Sequence, residues 1–430
     1  MYNERIRKNQ DDTIIGLNLR AAMKYIKNNQ LILFLLVSTA GFLISGCATK
    51  TKSFENLLNQ PATEISVFHQ SRKYEKAGLT VVYLTGTPYE IGLAHGKLAK
   101  NEILAANKPF FDIYEKLSLD PQSKWLKVSK KLEQHIPKEY LEEMRGIADG
   151  AEIEYDKILF LNTLTTISMY NKCFAFSYKD TNSKIVTVRQ IDGDTESFLY
   201  KDKILYIIKP QKGHGFAAIL NPGWVDGESG INENGITVSQ NNINIRQIEW
   251  DIMPITQLSR HMLQYSKTID DAEQLLERQE AFPARLIFVS SKERASIFEI
   301  ANKEKARIDM ENGLLTLANH ARLIPSKNVQ SSSTRRLDFG NEFLDENFKE
   351  MDKKKALELV RSSRISFRWN LGVHNRQSFI FSPSDLDFWI AIPPDSNYTP
   401  ASYGPYIGFN LRHELYGSGD EANPKSFPAY

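Results

Sequence analysis

The chain has 430 residues, with 54 Lys or Arg against 52 Asp or Glu, and only two cysteines, Cys47 and Cys173. So even a balance, with no basic run outside the first segment, argues against nucleic acid as a partner, and two isolated cysteines exclude a disulfide scaffold. The eight histidines are scattered, with no HExxH and no cysteine pair, so no metal site and no cofactor is expected.

Leu31 to Ser45 (LILFLLVSTAGFLIS) is apolar and uncharged, yet shorter than the roughly 20 residues a helix needs to cross a bilayer. It reads as the hydrophobic part of a signal peptide. Ser45 and Gly46 precede Cys47 with small side chains, and the run resembles the bacterial lipoprotein box, in which the cysteine is diacylated and becomes residue one. The expectation is a lipoprotein-type signal peptide over 1–46, lipidation at Cys47 and a lipid anchor in the bacterial cell envelope, facing the periplasm or the exterior. Met23-Lys24-Tyr25-Ile26-Lys27 precedes the apolar run and reads as a start at least as well as Met1 does.

After a tether near 48–60, Leu79 to Leu84 (LTVVYL) predicts a strand. Thr87-Pro88-Tyr89-Glu90 then supplies an N-cap, a proline at the first helical position and a capping-box glutamate. Gly92 and Gly96, four apart on that helix, predict a close helix contact or a ligand-facing notch. The pattern stays mostly helical to Leu164, including Lys138 to Asp149.

At Cys173 the period changes to alternation. Cys173 to Tyr178, a turn over 179–184 and Ile185 to Ile191 predict a β-hairpin. Further strands are expected at Ile204 to Ile208, Phe216 to Leu220, Ile236 to Asn241, Leu286 to Val289, Ser296 to Ile300, Leu314 to Ala318, Phe379 to Phe381 and Phe388 to Ile392. Helices are expected at Ile255 to Tyr265, Ile269 to Arg278, Thr334 to Phe343 and Lys353 to Ser363. Runs of strands with clustered helices point to antiparallel sheets sandwiched by helices rather than to a parallel βαβ fold.

A hairpin symmetric about Thr181 sets Arg189 opposite Cys173, where a guanidinium favours thiolate and lowers the thiol pKa. Asp192 then falls just past the strand end. There its carboxylate would receive an amine at position 173, were the chain cut between Lys172 and Cys173; that amine could serve as general base. Phe174, Phe176, Trp224 and Trp369 are candidates for an apolar acyl pocket or for core.

Cys173 with Arg189 and Asp192, Gly230-Ile231-Asn232-Glu233-Asn234-Gly235-Ile236 followed by Asn242, Ala318-Asn319-His320, and Ser331-Ser332-Ser333-Thr334-Arg335 resemble the N-terminal-nucleophile cysteine hydrolases. Choloylglycine hydrolase is one relative; closer in layout is the acyl-coenzyme A:6-aminopenicillanic acid acyltransferase group (peptidase C45). The resemblance implies an α+β, four-layer αββα sandwich with a helical N-terminal pro-segment: a tether and pro-segment over 47–172 and a catalytic domain over 173–430. It implies an amidohydrolase or acyltransferase acting on carbon–nitrogen bonds of small N-acyl compounds. Its roles would be Cys173 as nucleophile and base, Arg189 positioning the thiol, Asp192 holding the amine, and Asn242, or its neighbour Asn241, in the oxyanion hole. Asn319 would orient the amine or substrate carbonyl, and Arg335 would complete the charge network. Lys172 departs from the small residue usual before the nucleophile. Two other readings stand beside this one: a Cys-His pair using His320 or His374 without chain cleavage, and a non-catalytic envelope lipoprotein.

Overall fold

Strand β1 (Thr63–Phe68) and its hairpin partner β2 (Ser71–Lys76) lead into β3 (Leu79–Gly86). The computed structural model describes residue 58 and residues 61–430, apart from 121, 169–171, 195–202, 327–328, 366–372, 392, 394–398, 418–422 and 427–430. The apolar run, Cys47 and Trp369 lie outside the described residues. Among the described residues no helix is long and apolar enough to cross a membrane.

Five helices follow β3: α1 (Pro88–Leu98), α2 (Lys100–Ser118), α3 (Lys124–Glu133), α4 (Lys138–Ala151) and α5 (Tyr155–Ser168). The start of α1 is fixed by a capping box in which Thr87 Oγ1 accepts the Glu90 N–H while Glu90 Oε2 accepts the Thr87 N–H. Its glycines meet α4 backbone to backbone: a Cβ on Gly92 would lie 1.9 Å from Glu143 O, and one on Gly96 would lie 2.5 Å from Ile147 O. The glycine pair is thus a helix contact and not a notch for a ligand.

From β4 (Lys172–Lys179) and β5 (Ile185–Asp194) the chain continues through β6 (Ile204–Pro210), β7 (Phe216–Leu220), β8 (Ser229–Asn232) and β9 (Thr237–Asn242). Between β8 and β9 the turn closes on Asn232 Oδ1, which accepts the N–H of Asn234 and of Ile236 at 3.0 Å each. Helices α6 (Ile255–Tyr265) and α7 (Ile269–Glu277) precede β10 (Phe282–Ser290), β11 (Ala295–Asn302), β12 (Glu304–Asp309) and β13 (Leu314–Leu317). The chain ends with α8 (Ser331–Asn347), α9 (Lys353–Arg361), β14 (Val373–Ser382), β15 (Asp387–Ala391), β16 (Tyr406–Asn410) and α10 (Leu411–Tyr416).

Among the described residues two sheets result, one ten-stranded in the order β1-β2-β3-β6-β7-β8-β9-β10-β11-β12, the other six-stranded in the order β13-β4-β5-β14-β15-β16. Pairing is antiparallel except between β3 and β6, which run parallel because the chain between them crosses over through helices α1 to α5 and the β4–β5 hairpin. The segment before Cys173 is therefore not helical alone: it contributes the first three strands of the larger sheet.

Period-two alternation sorts side chains into layers. Val82, Leu84, Tyr206 and Val238 on one face of the large sheet pack against α1, α4 and α6. Val81, Leu205, Ile207 and Ile231 on its other face meet Cys173, Ile191, Phe379 and Phe381 of the small sheet. Phe174, Phe176, Tyr178 and Val188 face outward onto Leu337, Leu344, Leu357 and Val360 of α8 and α9. Each fully buried phenylalanine among them is worth about 1.5–3 kcal/mol. The chain is thus a four-layer αββα sandwich, and Cys173 lies between its sheets.

Candidate active site

The β4–β5 turn sets the geometry around Cys173. Asp180 Oδ1 accepts the N–H of Asn182 and of Lys184 at 2.9 Å each, and Ser183 takes φ +62°, so the hairpin is centred on Asn182 rather than Thr181. Arg189 consequently pairs with Ala175, Ile191 with Cys173, and Asp192 with Lys172. Arg189 and Cys173 are diagonal neighbours on the inner face rather than opposite each other. The long guanidinium spans the gap, placing Nη2 3.4 Å from Cys173 Sγ. Asp192 lies within β5, not beyond it, and projects to the outer face.

Arg189 is fully buried and held from three sides: Nη1 donates to Asn241 Oδ1, Nη2 to Gln240 O, and Nε to Ser229 Oγ at 3.4 Å. Asn241 Nδ2 in turn donates to Ala318 O at 2.7 Å. Strand alternation explains why Asn241, and not Asn242, turns its side chain toward the thiol. Asn242 pairs with Arg285, whose guanidinium reaches Thr165 O of α5 on the helical side of the sheet. Asn242 contributes its carbonyl instead, accepting Asn319 Nδ2 at 2.9 Å.

The nitrogen that joins Cys173 to Lys172 is held in place. Cys173 N donates to Asn319 Oδ1 at 2.7 Å, the Cys173 carbonyl accepts Arg336 Nη1 at 3.0 Å, and that nitrogen lies 3.2 Å from Asp192 Oδ2. Asn375 Nδ2 supports the other Asp192 oxygen at 3.4 Å. Arg335, the expected member, is exposed and donates to Ser331 O of its own helix. Because α8 begins at Ser331, residues 333, 336, 337 and 340 face the sheet, and one step of about 100° swings Arg335 to solvent. Arg336 takes the position in its place.

His320 is engaged by helix α8: its Nδ1 meets Ser333 Oγ at 2.8 Å, and Ser333 Oγ also accepts the Asn319 N–H at 2.7 Å. The side chain of His374 is outside the described residues. Phe174 and Phe176 are core under α8 and α9, and Trp224 is core with Nε1 on Asn107 Oδ1 at 3.3 Å. Ser229, Gln240, Ser333, Arg336 and Asn375 join the site through tertiary contacts. Ser333 lies inside a run the sequence pattern had marked, and Ser229, Gln240, Arg336 and Asn375 each stand directly beside a marked residue.

Electrostatics follow burial. Burial pushes the Cys173 thiol up, and Arg189 pulls against it without prevailing, so the expected lowering is reversed in the uncut chain. Burial raises Asp192 to about 6, opposed first by Arg336 and then by Asn375, Arg189 and Lys172. Nearby, burial and the charge of Glu228 raise Asp226 to about 7, while Lys203 Nζ bonds Glu228 Oε2 at 2.9 Å. The arrangement sets a thiol against a guanidinium, holds the Cys173 nitrogen on an amide oxygen, and links the Cys173 carbonyl to a buried carboxylate through Arg336.

Residues 179–369 match the family described as acyl-coenzyme A:6-aminopenicillanic acid acyl-transferase; the matched stretch holds Arg189, Asp192, Asn241, Asn319 and Arg336 and starts six residues after Cys173. An uncharacterized protein of Archaeoglobus fulgidus is 26% identical over 229 residues, 45% of this chain and 38% of that protein. The acyl-coenzyme A:6-aminopenicillanic-acid-acyltransferase 40 kDa form of Emericella nidulans is 24% identical over 250 residues, 55% of this chain and 68% of its own length. Among solved structures, the Caenorhabditis elegans ortholog of N-acylethanolamine-hydrolyzing acid amidase aligns with a TM-score of 0.40 and 16% identity. That alignment covers 49% of this chain and 93% of the other. The match thus spans little more than a third of the first of these relatives.

Proposed function

We propose that this chain is a cysteine amidohydrolase or acyltransferase that cuts itself between Lys172 and Cys173 and then turns over small N-acyl amides through a thioester on Cys173. The observation that carries the reading is the Cys173 backbone nitrogen bonded to Asn319 Oδ1, beside a thiol held by Arg189. Similarity of residues 179–369 to an acyltransferase family supports the reaction class.

In the first step Cys173 Sγ attacks the Lys172 carbonyl carbon: the C–S bond forms, the C–N bond breaks, and the thiol proton ends on the Cys173 nitrogen. Water then hydrolyses the thioester, leaving a carboxylate on Lys172 and a free amine on Cys173. Asp192 and Asn319 hold that amine, which serves as general base in the second reaction. There Sγ attacks the substrate carbonyl, the leaving amine takes the proton, and water or an acceptor amine resolves the acyl-enzyme. The second N–H of Asn241 Nδ2 is the side-chain donor for the oxyanion, a contact whose removal typically costs about 10²–10³ in rate.

Denaturing electrophoresis of purified protein tests the cleavage: a fragment beginning at Cys173 should appear, and Cys173→Ala should remain one chain. A native protein that stays whole while hydrolysing amides sinks this reading. Screening against a panel of N-acyl amides, with and without acceptor amines, separates hydrolase from transferase and identifies the acyl donor. The leader completes the proposal: lipidation at Cys47 would tether the enzyme to the cell envelope. Cys47→Ser should then move it out of the detergent phase; unchanged partitioning counts against the anchor.

A further inference from the structure

Glu299 lies on β11 and is completely buried, on the face that carries Ile297 and Ala301 between the two sheets. A carboxylate in such a place needs donors. It finds them in the backbone of one loop: Oε1 accepts the N–H of Arg322 at 2.6 Å, and Oε2 accepts those of Leu323 at 2.7 Å and Ile324 at 3.0 Å. The large sheet thus grips the loop that leaves β13 of the small sheet.

That loop carries the contact on the bond to be cut. Ala318 O accepts Asn241 Nδ2, and the next residue, Asn319, bonds the Cys173 nitrogen, Arg336 Nη2 and the Asn242 carbonyl. Ser333 Oγ fixes the start of the loop through Asn319 N, and Glu299 fixes its end. We propose that Glu299 is a positioning residue for cleavage at Lys172–Cys173, holding the 318–324 loop so that Asn319 stays on the Cys173 nitrogen. The proposal rests on the cleavage reading above.

A carboxylate is needed because it is acceptor-only and has room for all three donors. Glu299→Gln keeps shape and volume but turns one oxygen into an NH2 that faces N–H groups. At least one grip on the loop is lost without opening a cavity.

The test follows fragment appearance after synthesis of the full chain, in the native protein and in Glu299→Gln, Asn319→Ala and the double variant, with thermal melting alongside. Glu299→Gln should cleave about 10- to 100-fold more slowly, as expected of a displacement of an ångström or less at the reacting bond. The double variant should be no slower than Asn319→Ala alone, because both changes act on one contact. A purely structural glutamate would slow the double variant by the product of the two factors.

A second arm does not depend on cleavage. In the Cys173→Ala chain, hydrogen exchange should quicken in peptides covering 318–324 and 172–176 when Glu299→Gln is added, with β10 unchanged. Native-rate cleavage in Glu299→Gln, multiplicative slowing in the double variant, or unchanged exchange at 172–176 each overturns the proposal. If the native chain never cleaves, the function reading fails while the exchange arm still decides the role of Glu299. Should Glu299→Gln not fold, Glu299→Asp, which keeps the charge but withdraws it by one methylene, is read in the same two arms with an intermediate effect expected.

Discussion

Arg336 Nη2 donates to Asn319 Oδ1 at 2.7 Å, the same oxygen that accepts the Cys173 N–H at 2.7 Å. One amide oxygen therefore ties the helix α8 to the bond between Lys172 and Cys173. The second Arg336 nitrogen reaches both the Cys173 carbonyl and Asp192, so a single buried guanidinium fixes three groups around the candidate nucleophile.

Adjacent arginines on α8 should then behave very differently. Arg336→Ala leaves Asp192 buried without its ion-pair partner, a loss of about 3–5 kcal/mol for a pair of this kind, and should abolish chain cleavage. Arg336→Lys cannot reproduce the forked contacts and should cleave slowly. Arg335→Ala should melt and cleave like the native protein. Equal loss from the two alanine substitutions would show that α8 is set in another phase.

The thiol of the uncut chain should be a poor nucleophile toward outside reagents. With burial pushing its pKa up and only 1% of the residue exposed, Cys173 should react with iodoacetamide more slowly at neutral pH than a free cysteine of pKa ~8.5. A chain carrying Cys47→Ser and Asn319→Ala isolates this signal by removing the other thiol and slowing cleavage. Adding Arg189→Ala should move the alkylation–pH curve to still higher pH, because Arg189 is the leading opposing charge. A midpoint below that of a free cysteine would contradict this picture.

Local chemistry made most of the fold readable, and tertiary geometry withheld the rest. The Thr87 capping box, the alternation from Cys173 and the turn residues at Asn232 state their structure in a few neighbouring residues. β1, β2, β8, β12 and β16 escaped: β1, β2 and β12 lie toward the two ends of the large sheet and are polar or charge-rich, as in SRKYEK, while β8 and β16 are short runs interrupted by Gly230 and Gly408. At the site, Cys173, Arg189, Asp192 and Asn319 do converge. The Arg189 register was off by two because Asp180 and Ser183 lengthen the turn. Asn241 and Arg336 displaced Asn242 and Arg335 because one residue flips a strand face or rotates a helix by about 100°. The raised thiol pKa follows from burial between two sheets, which no local pattern contains.

Asp192 should give cleavage an acid limb. Its folded pKa, about 6, lies above the unfolded value near 3.8, so ionisation is disfavoured in the fold. The associated stability is whole below about pH 4 and is lost as pH rises through 6. In the proposed cleavage the ionised carboxylate receives the new amine, so the rate should fall as pH drops through about 6. Asp192→Asn should be slow at every pH and lack that limb. An acid limb that persists unchanged in Asp192→Asn would assign it to another group.

After cleavage the two fragments should remain one particle. β3 pairs with β6 from Val81–Leu205 to Gly86–Pro210, so the cut leaves the pro-segment stitched into the large sheet. Behind that sheet His95 Nε2 accepts the Gly223 N–H at 2.9 Å and meets Tyr206 OH at 2.8 Å, while Arg260 bonds Glu143 at 3.1 Å with both side chains buried. Burial pushes the His95 pKa down to about 3, with Arg260 adding to the shift, so the ring stays neutral and keeps accepting across the physiological range. Size-exclusion chromatography without denaturant should therefore give one peak containing both fragments, and urea should be needed to part them. Arg260→Ala strands Glu143 in the core, which should cost about 3–5 kcal/mol and lower the urea concentration at which they separate. Fragments that elute apart in dilute buffer would show that the strands of the pro-segment are released once the Lys172–Cys173 bond is broken.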